Sequence, residues 1–218
     1  IDIVEVGVPY SDPLMDGPLI QRATELALDQ GCQVDDVFTA VRAVADGGST
    51  AYVMTYWNLV LRRGVDRFAA DLATAGASGL ITPDLIPEEA GEWIAASDRH
   101  GLDRVFLIAP SSTRERLTVA TSACRGFVYA ASTMGVTGTR DSVGSAAAQV
   151  VERAREVTDL PLCVGLGVST RAQAAEVAGY ADGVIVGSAL VRALGDGGPS
   201  AVRTLTQELA AGVREGRR

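Results

Sequence analysis

Short runs of alternating or clustered apolar residues recur along the chain. Between them lie stretches whose apolar residues fall at three- and four-residue spacing. The runs cover residues 1–8, 51–56, 79–82, 104–109, 126–131, 162–166 and 183–186 and read as β-strands. The intervening stretches 20–29, 34–45, 65–75, 88–100, 114–123, 146–157 and 171–178 read as amphipathic helices, and a short helix is expected over 189–194. Strand starts lie about 30 residues apart on average, the length of one β-loop-α-loop unit. Gly, Pro, Asp or Ser follows nearly every strand, as in GVPYSDP, TPDLIPEE, APSSTRE and GLGVST. Pro18 and Pro87 suit first-turn helix positions, and Ser112 with Glu115 has the spacing of a capping box.

No linker, charge block or change of composition divides the 218 residues, so a single domain over 1–218 is expected. A repeating β/α array fits either a doubly wound open sheet or a (β/α)8 barrel. The open sheet calls for a GxGxxG turn after an early strand, and the sequence has none. GLGVST and VGSA after the last two strands instead suit the loops where barrels commonly bind phosphate. The expected fold is therefore α/β, a (β/α)8 TIM barrel lacking its first βα unit, with strands two to eight present. The chain opens at Ile1, inside the alternating segment IDIVEVGV, so an upstream segment is expected to supply strand one and its helix. Without it, strands two and eight would expose unpaired edges, and poor solubility and little activity would be expected.

Composition narrows the chemistry. Apolar residues make up 47% and charged residues 21%, a globular balance that argues against disorder. No apolar run approaches the ~20 residues of a membrane span and no signal peptide is visible, so a cytoplasmic location is expected. The net charge of −8 is the wrong sign for gripping nucleic acid. Cys32, Cys124 and Cys163 lie far apart without metal spacing, and the single histidine, His100, sits in the polar helix end SDRHG. Catalysis would fall to carboxylates, hydroxyls and backbone amides.

Glu5 shares a strand face with Ile1 and Ile3 just before the GVP exit, which in a barrel sets a carboxylate at the C-terminal mouth. Burial there would raise its pKa toward neutrality and fit it for proton transfer. A glutamate exposed on an edge strand, or paired with arginine, would give the same pattern. Asp12 and Asp16 in the loop YSDPLMDGP are good turn formers, and Asp16 also suits a helix cap. Beside Glu5, one of them becomes a candidate second carboxylate. Gly138, Gly167, Gly187 and Ser188 stand at strand ends, where glycine frees backbone amides for an anion. Tyr56, Phe127, Tyr129 and Leu166 would either enclose a flat organic group or fill the top layer of a barrel.

The stretch VEVGVPYSDPLMDGP (4–18) resembles the signature of the tryptophan synthase α subunit family. The resemblance continues through MTYWN (54–58), PDLIPEE (83–89), GVTG (135–138), GLGV (165–168) and GSA (187–189), covering essentially the whole chain. MTYWN and ASTMGVTG resemble actinobacterial members in particular. The resemblance implies a (β/α)8 barrel that cleaves indole-3-glycerol phosphate to indole and glyceraldehyde 3-phosphate with no metal or organic cofactor. It implies Glu5 and Asp16 as the catalytic pair and Gly138, Gly167, Gly187 and Ser188 as phosphate-binding positions. Tyr56, Ile81, Phe127, Tyr129 and Leu166 would line the indole and glycerol pocket, with Thr137 on a loop over 132–141 that closes after strand six. The implied partner is a β subunit in an α2β2 complex, and pyridoxal phosphate is expected only there. Thr133 stands where many members carry arginine, Phe127 replaces a common tyrosine and Leu166 a common phenylalanine. Two alternatives remain at this point: a non-catalytic barrel that activates a partner, and another phosphate-binding barrel of aromatic amino acid or histidine biosynthesis.

Overall fold

The computed structural model describes residues 1–12, 14–131, 144–165 and 167–217. The chain forms two compact units, Ile1–Ser11 with Thr24–Leu107 and Val119–Phe127, and Asp12–Ala23 with Ile108–Thr118 and Val128–Arg218.

The first unit is built on a parallel sheet of β1 (Ile3–Gly7), β2 (Thr50–Met54), β3 (Gly79–Ile81) and β4 (Asp103–Val105), in that spatial order. Valine, isoleucine, threonine and tyrosine dominate β1 and β2, whose branched and aromatic side chains suit a pleated surface. Helix α1 (Pro18–Asp29) starts at the proline, whose missing N–H and fixed φ fit that position, and it buries none of its residues. Helices α2 (Val34–Asp46), α3 (Trp57–Arg63), α4 (Val65–Thr74) and α5 (Gly91–His100) supply the apolar cover. Val37, Phe38 and Val41 of α2 are buried, as are Phe68 and Leu72 of α4 and Trp93 of α5. Arg63 ties α2 to α4 by pairing with Asp35 and Asp71 while its guanidinium lies 4.8 Å over the Phe38 ring.

The second unit carries a sheet of β5 (Leu107–Ile108), β6 (Val128–Ala131), β7 (Leu162–Gly165) and β8 (Gly183–Val184), in that order, with β6, β7 and β8 parallel. Helix α6 is Arg114–Ala123, α7 is Gly144–Arg155, α8 is Arg171–Ala178 and α9 is Ser188–Gly216. Val150, Val151 and Ala154 of α7 and Ala174 and Val177 of α8 are buried with Leu162 and Val164 of β7.

Four expectations are corrected. The strand expected over 104–109 is two strands, because Phe106 between them donates its N–H to Cys124 Sγ at 3.3 Å instead of to a ladder. Helix α3 was not expected. Gly64, at φ 90°, separates it from α4 and makes the two short helices possible. The short helix over 189–194 extends to Gly216, with non-helical backbone at Gly197 and Gly198 just before Pro199. The cap of α6 is Thr113 rather than Ser112: Arg116 N–H donates to Thr113 Oγ1, while Ser112 Oγ accepts from Ala109 N–H.

Gly165 shows how tightly the second sheet is fitted. A Cβ there would collide with the ring and hydroxyl of Tyr129, which is itself buried. Gly165→Ala should therefore lose about 1–3 kcal/mol of stability by overpacking. Urea unfolding checks this. Removing the hydroxyl with Tyr129→Phe in the same chain should recover part of the loss, a coupling expected for groups in contact.

Candidate active site

In the first unit, the period-two alternation of β1 sets Ile3, Glu5 and Gly7 on one face and Val4 and Val6 on the other. Glu5 occupies the middle of the strand, two residues before Gly7 ends it. Its side chain is exposed on β1, the edge strand of the sheet, with the mass of the protein close on its inner side. That mass withdraws solvent and pushes the carboxyl up to about 7. Glu5 has no hydrogen bond or ion pair among the described residues, and desolvation is the cause of its raised pKa.

Beyond the end of β2, Tyr56 is buried and precedes α3. Its ring meets Tyr10 at 5.5 Å between centroids, and Tyr10 Oη accepts from Asn58 Nδ2 at 2.9 Å. Asp84, in the loop after β3, accepts the Trp57 N–H with both carboxylate oxygens, at 2.9 and 3.1 Å, and fixes the entry to α3. Burial raises the Asp84 pKa against the lowering effect of that bond. Ile81 closes β3 and is buried on the same strand face as Gly79. Phe127 immediately precedes β6 and is buried edge-on to Tyr52, with centroids 5.3 Å apart and planes 63° apart. The structure thus gathers Tyr10, Tyr56, Asn58 and Asp84 around the end of β2. Of these, only Tyr56 was expected. The others are spread over 75 residues of sequence and carry no motif of their own.

In the second unit, Asp16 is half-buried, and its carbonyl accepts from Gln21 Nε2 at 2.6 Å. Tyr129 lies in the middle of β6 and shares a row with Cys163 of β7. Gly167, in the turn after β7, has φ 100°, a conformation that favours glycine. Gly187 precedes α9, and its carbonyl accepts from Leu190 and Val191 N–H. A Cβ at Gly187 would meet no atom of the described residues within 4 Å. Ser188 is the first residue of α9, where backbone N–H groups point out of the helix.

Gln173 was missed, although Thr170-x-x-Gln173 has capping-box spacing. Its side-chain oxygen accepts from Ser169 N–H at 2.8 Å, Ser169 Oγ at 3.1 Å and Thr170 N–H at 3.2 Å, and so braces the turn that carries Gly167. A cleft of about 380 Å³ runs along Ser169, Ala189 and Arg192, next to Ser188 in sequence. A larger one of about 870 Å³ lies by Arg155, Tyr180, Asp182 and Arg217 and contains none of the expected site residues. There Arg155 pairs with Asp182 at 3.1 Å and Arg217 donates to the Asp182 carbonyl, so its charges are engaged with one another. Thr137, Gly138 and Leu166 lie outside the described residues, as does the loop over 132–141.

Among the described residues no helix is long and apolar enough to cross a membrane. Residues 1–215 match the family of the tryptophan synthase alpha chain. The tryptophan synthase alpha chain of Mycobacterium avium is 68% identical over 214 residues, 98% of this chain and 79% of that protein. A structure of Mycobacterium tuberculosis tryptophan synthase superposes with a TM-score of 0.94 at 65% identity, covering 98% of this chain and 81% of the other. A mutant tryptophan synthase alpha-subunit from Pyrococcus furiosus, 32% identical, gives a TM-score of 0.85 over 96% of this chain and 85% of its own. The fold is that of these proteins, an α/β barrel of the TIM type, and the chain belongs to the tryptophan synthase alpha chain family.

Proposed function

We propose that Glu5 and Asp16 carry the acid–base chemistry of the family's reaction in this chain, and that Gly138, Gly167, Gly187 and Ser188 hold the phosphate of the substrate. The reaction is the lyase step of tryptophan biosynthesis, cleavage of indole-3-glycerol phosphate to indole and glyceraldehyde 3-phosphate. We assign Tyr56, Ile81, Phe127, Tyr129 and Leu166 to the indole and glycerol pocket, and Thr137 to a loop expected to close it. The chain works as one catalytic barrel domain in the cytoplasm.

Breaking the carbon–carbon bond requires the indole ring to leave with the bonding electron pair. Glu5 in its neutral form protonates indole C3 and makes the ring an electron sink. Asp16 accepts the indole N–H and stabilises the positive charge developing on nitrogen. As the bond breaks, its electrons return to the ring and restore aromaticity. The Glu5 carboxylate takes the proton of the adjacent glycerol hydroxyl, which becomes the aldehyde, and the acid is regenerated. Amides at the start of α9 and in the turn after β7 suit a phosphate. The partner is the tryptophan synthase β subunit in an α2β2 complex. The alpha family does not itself hold pyridoxal phosphate, which we place in that partner.

The observation that supports this reading most is the carboxyl of Glu5, raised by desolvation to about 7 with no basic partner among the described residues. An acid of this kind keeps its proton near neutral pH. The cleavage rate of the full-length chain should fall as pH rises through about 7. Glu5→Gln should bind substrate yet lose roughly 10²–10⁴-fold in kcat, and turnover close to wild type would remove Glu5 from the mechanism. A readout independent of activity follows from the same shift. Because the folded chain holds this proton more tightly than an unfolded one, folding stability should decline as pH rises from 4.5 to about 7 and then level off. Glu5→Gln should flatten that decline. Asp16→Asn should lower kcat by roughly 10²–10³-fold, and an unchanged rate would leave Asp16 a turn residue only.

A further inference from the structure

Beside Glu5, the first unit contains a row of residues that the cleavage scheme leaves unused. Strand register aligns Glu5 with Tyr52, Tyr52 with Gly79 and Gly79 with Asp103, so the four lie side by side across β1 to β4 and face the same way. Tyr52, next to Glu5, is buried and leans away from it. Its ring crosses Gly79, where an added Cβ would come within 2.8 Å of Cε1, and its hydroxyl donates to Asp103 Oδ2 at 2.6 Å. Gly126 completes the slot. At φ 92°, it takes a conformation that few other residues adopt, and a Cβ there would lie 2.8 Å from Tyr52 Oη and 2.7 Å from Asp103 Oδ2.

Two glycines on separate segments therefore make room for one phenol. The acceptor is held as well. Arg125 Nε stands 3.4 Å from Asp103 Oδ1, and the same guanidinium pairs with Asp98 and donates to the carbonyls of Ser97 and Leu102. A hydrogen bond to a charged carboxylate in such a frame is stronger and more directional than one between neutral groups. On its other side the Tyr52 ring meets the edge-on ring of Phe127. Aromatic pairs of this geometry prefer a definite angle, so fixing one ring orients the other.

We propose that Tyr52 is a positioning residue for substrate binding: tethered by Asp103 across Gly79, it fixes the Phe127 ring as a wall for the indole group. This rests on the reading of Phe127 as a pocket residue given above. The tether acts on a wall rather than on the reacting atoms, so its loss should weaken binding and spare the chemical step.

The test is steady-state cleavage of indole-3-glycerol phosphate by the full-length chain, with a thermal melt of each variant. Tyr52→Phe keeps the ring and removes the tether. It should raise KM roughly three- to tenfold, the effect of one lost hydrogen bond, with kcat within about twofold of wild type. Asp103→Ala should match it, whereas Asp103→Asn, whose amide oxygen still accepts from Tyr52, should keep KM near wild type. Lower melting temperatures with an unmoved KM in Tyr52→Phe would make the row merely structural and overturn the proposal. A fall in kcat at constant KM would overturn it equally. If wild type cleaves the substrate, either result strikes the tether alone; if wild type does not, the functional reading falls and takes the tether with it.

Discussion

Side chains on adjacent parallel strands stand in rows less than 5 Å apart, and a large side chain in a row needs space that its neighbour must yield. This constraint recurs in both sheets. Tyr52 extends over Gly79, Tyr129 over Gly165, and the sulfur of Cys163 over Gly183, where an added Cβ would come 2.5 Å from it. In each case the glycine is the register partner of the crossing residue or lies two residues beyond that partner, on the same face. The glycines of these strands are thus half of a packing pair, and β-propensity, which disfavours them, is overridden by the ring or sulfur they admit. The two tyrosines and Phe127 owe their orientation to this arrangement, and the pocket reading of Phe127 and Tyr129 depends on it.

The same rows explain why Glu5 differs from the other acids. Asp103 has Tyr52 and Arg125, Asp84 has the Trp57 amide, and Asp182 has Arg155 and the Leu162 amide. Glu5 has no such partner among the described residues, and desolvation from the protein beside it moves its carboxyl toward the range useful for proton transfer. Cys124 and Cys163 are also pushed up, to about 11, by burial. For a thiol, the same effect suppresses reactivity. Desolvation therefore prepares one group for chemistry and quiets two others.

Periodicity alone exposed most of the architecture, because seven strand-like runs and their intervening amphipathic stretches each repeat a strong local signal. Failures fell where side-chain hydrogen bonding overrode that signal. Nothing near Phe106 in sequence announces that its N–H is taken by Cys124, and at α6 a local bond from Ala109 N–H to Ser112 leaves Thr113 as the cap. Helix α3 is too short for its period to stand out, and the break in α9 required knowing that helix resumes after Gly198 and Pro199. Among the proposed site residues, Glu5 drew attention because a carboxylate continuing an apolar strand face is unusual. Asp16 looked like any turn aspartate, and only the resemblance to a family distinguished it. Tyr52 sat in plain view in a strand and drew no attention, since its meaning lies in glycines 27 and 74 residues further along.

The brace formed by Gln173 has an effect on molecular encounter. A turn whose amides are already anchored gives up its conformational freedom during folding. An anion arriving beside Gly167 then meets a surface that need not be immobilised on contact, and the entropic penalty of association shrinks accordingly. On the proposed phosphate role of Gly167, loosening that brace would weaken capture of the phosphate through increased disorder in the unliganded state, with no atom of the ligand itself losing a partner.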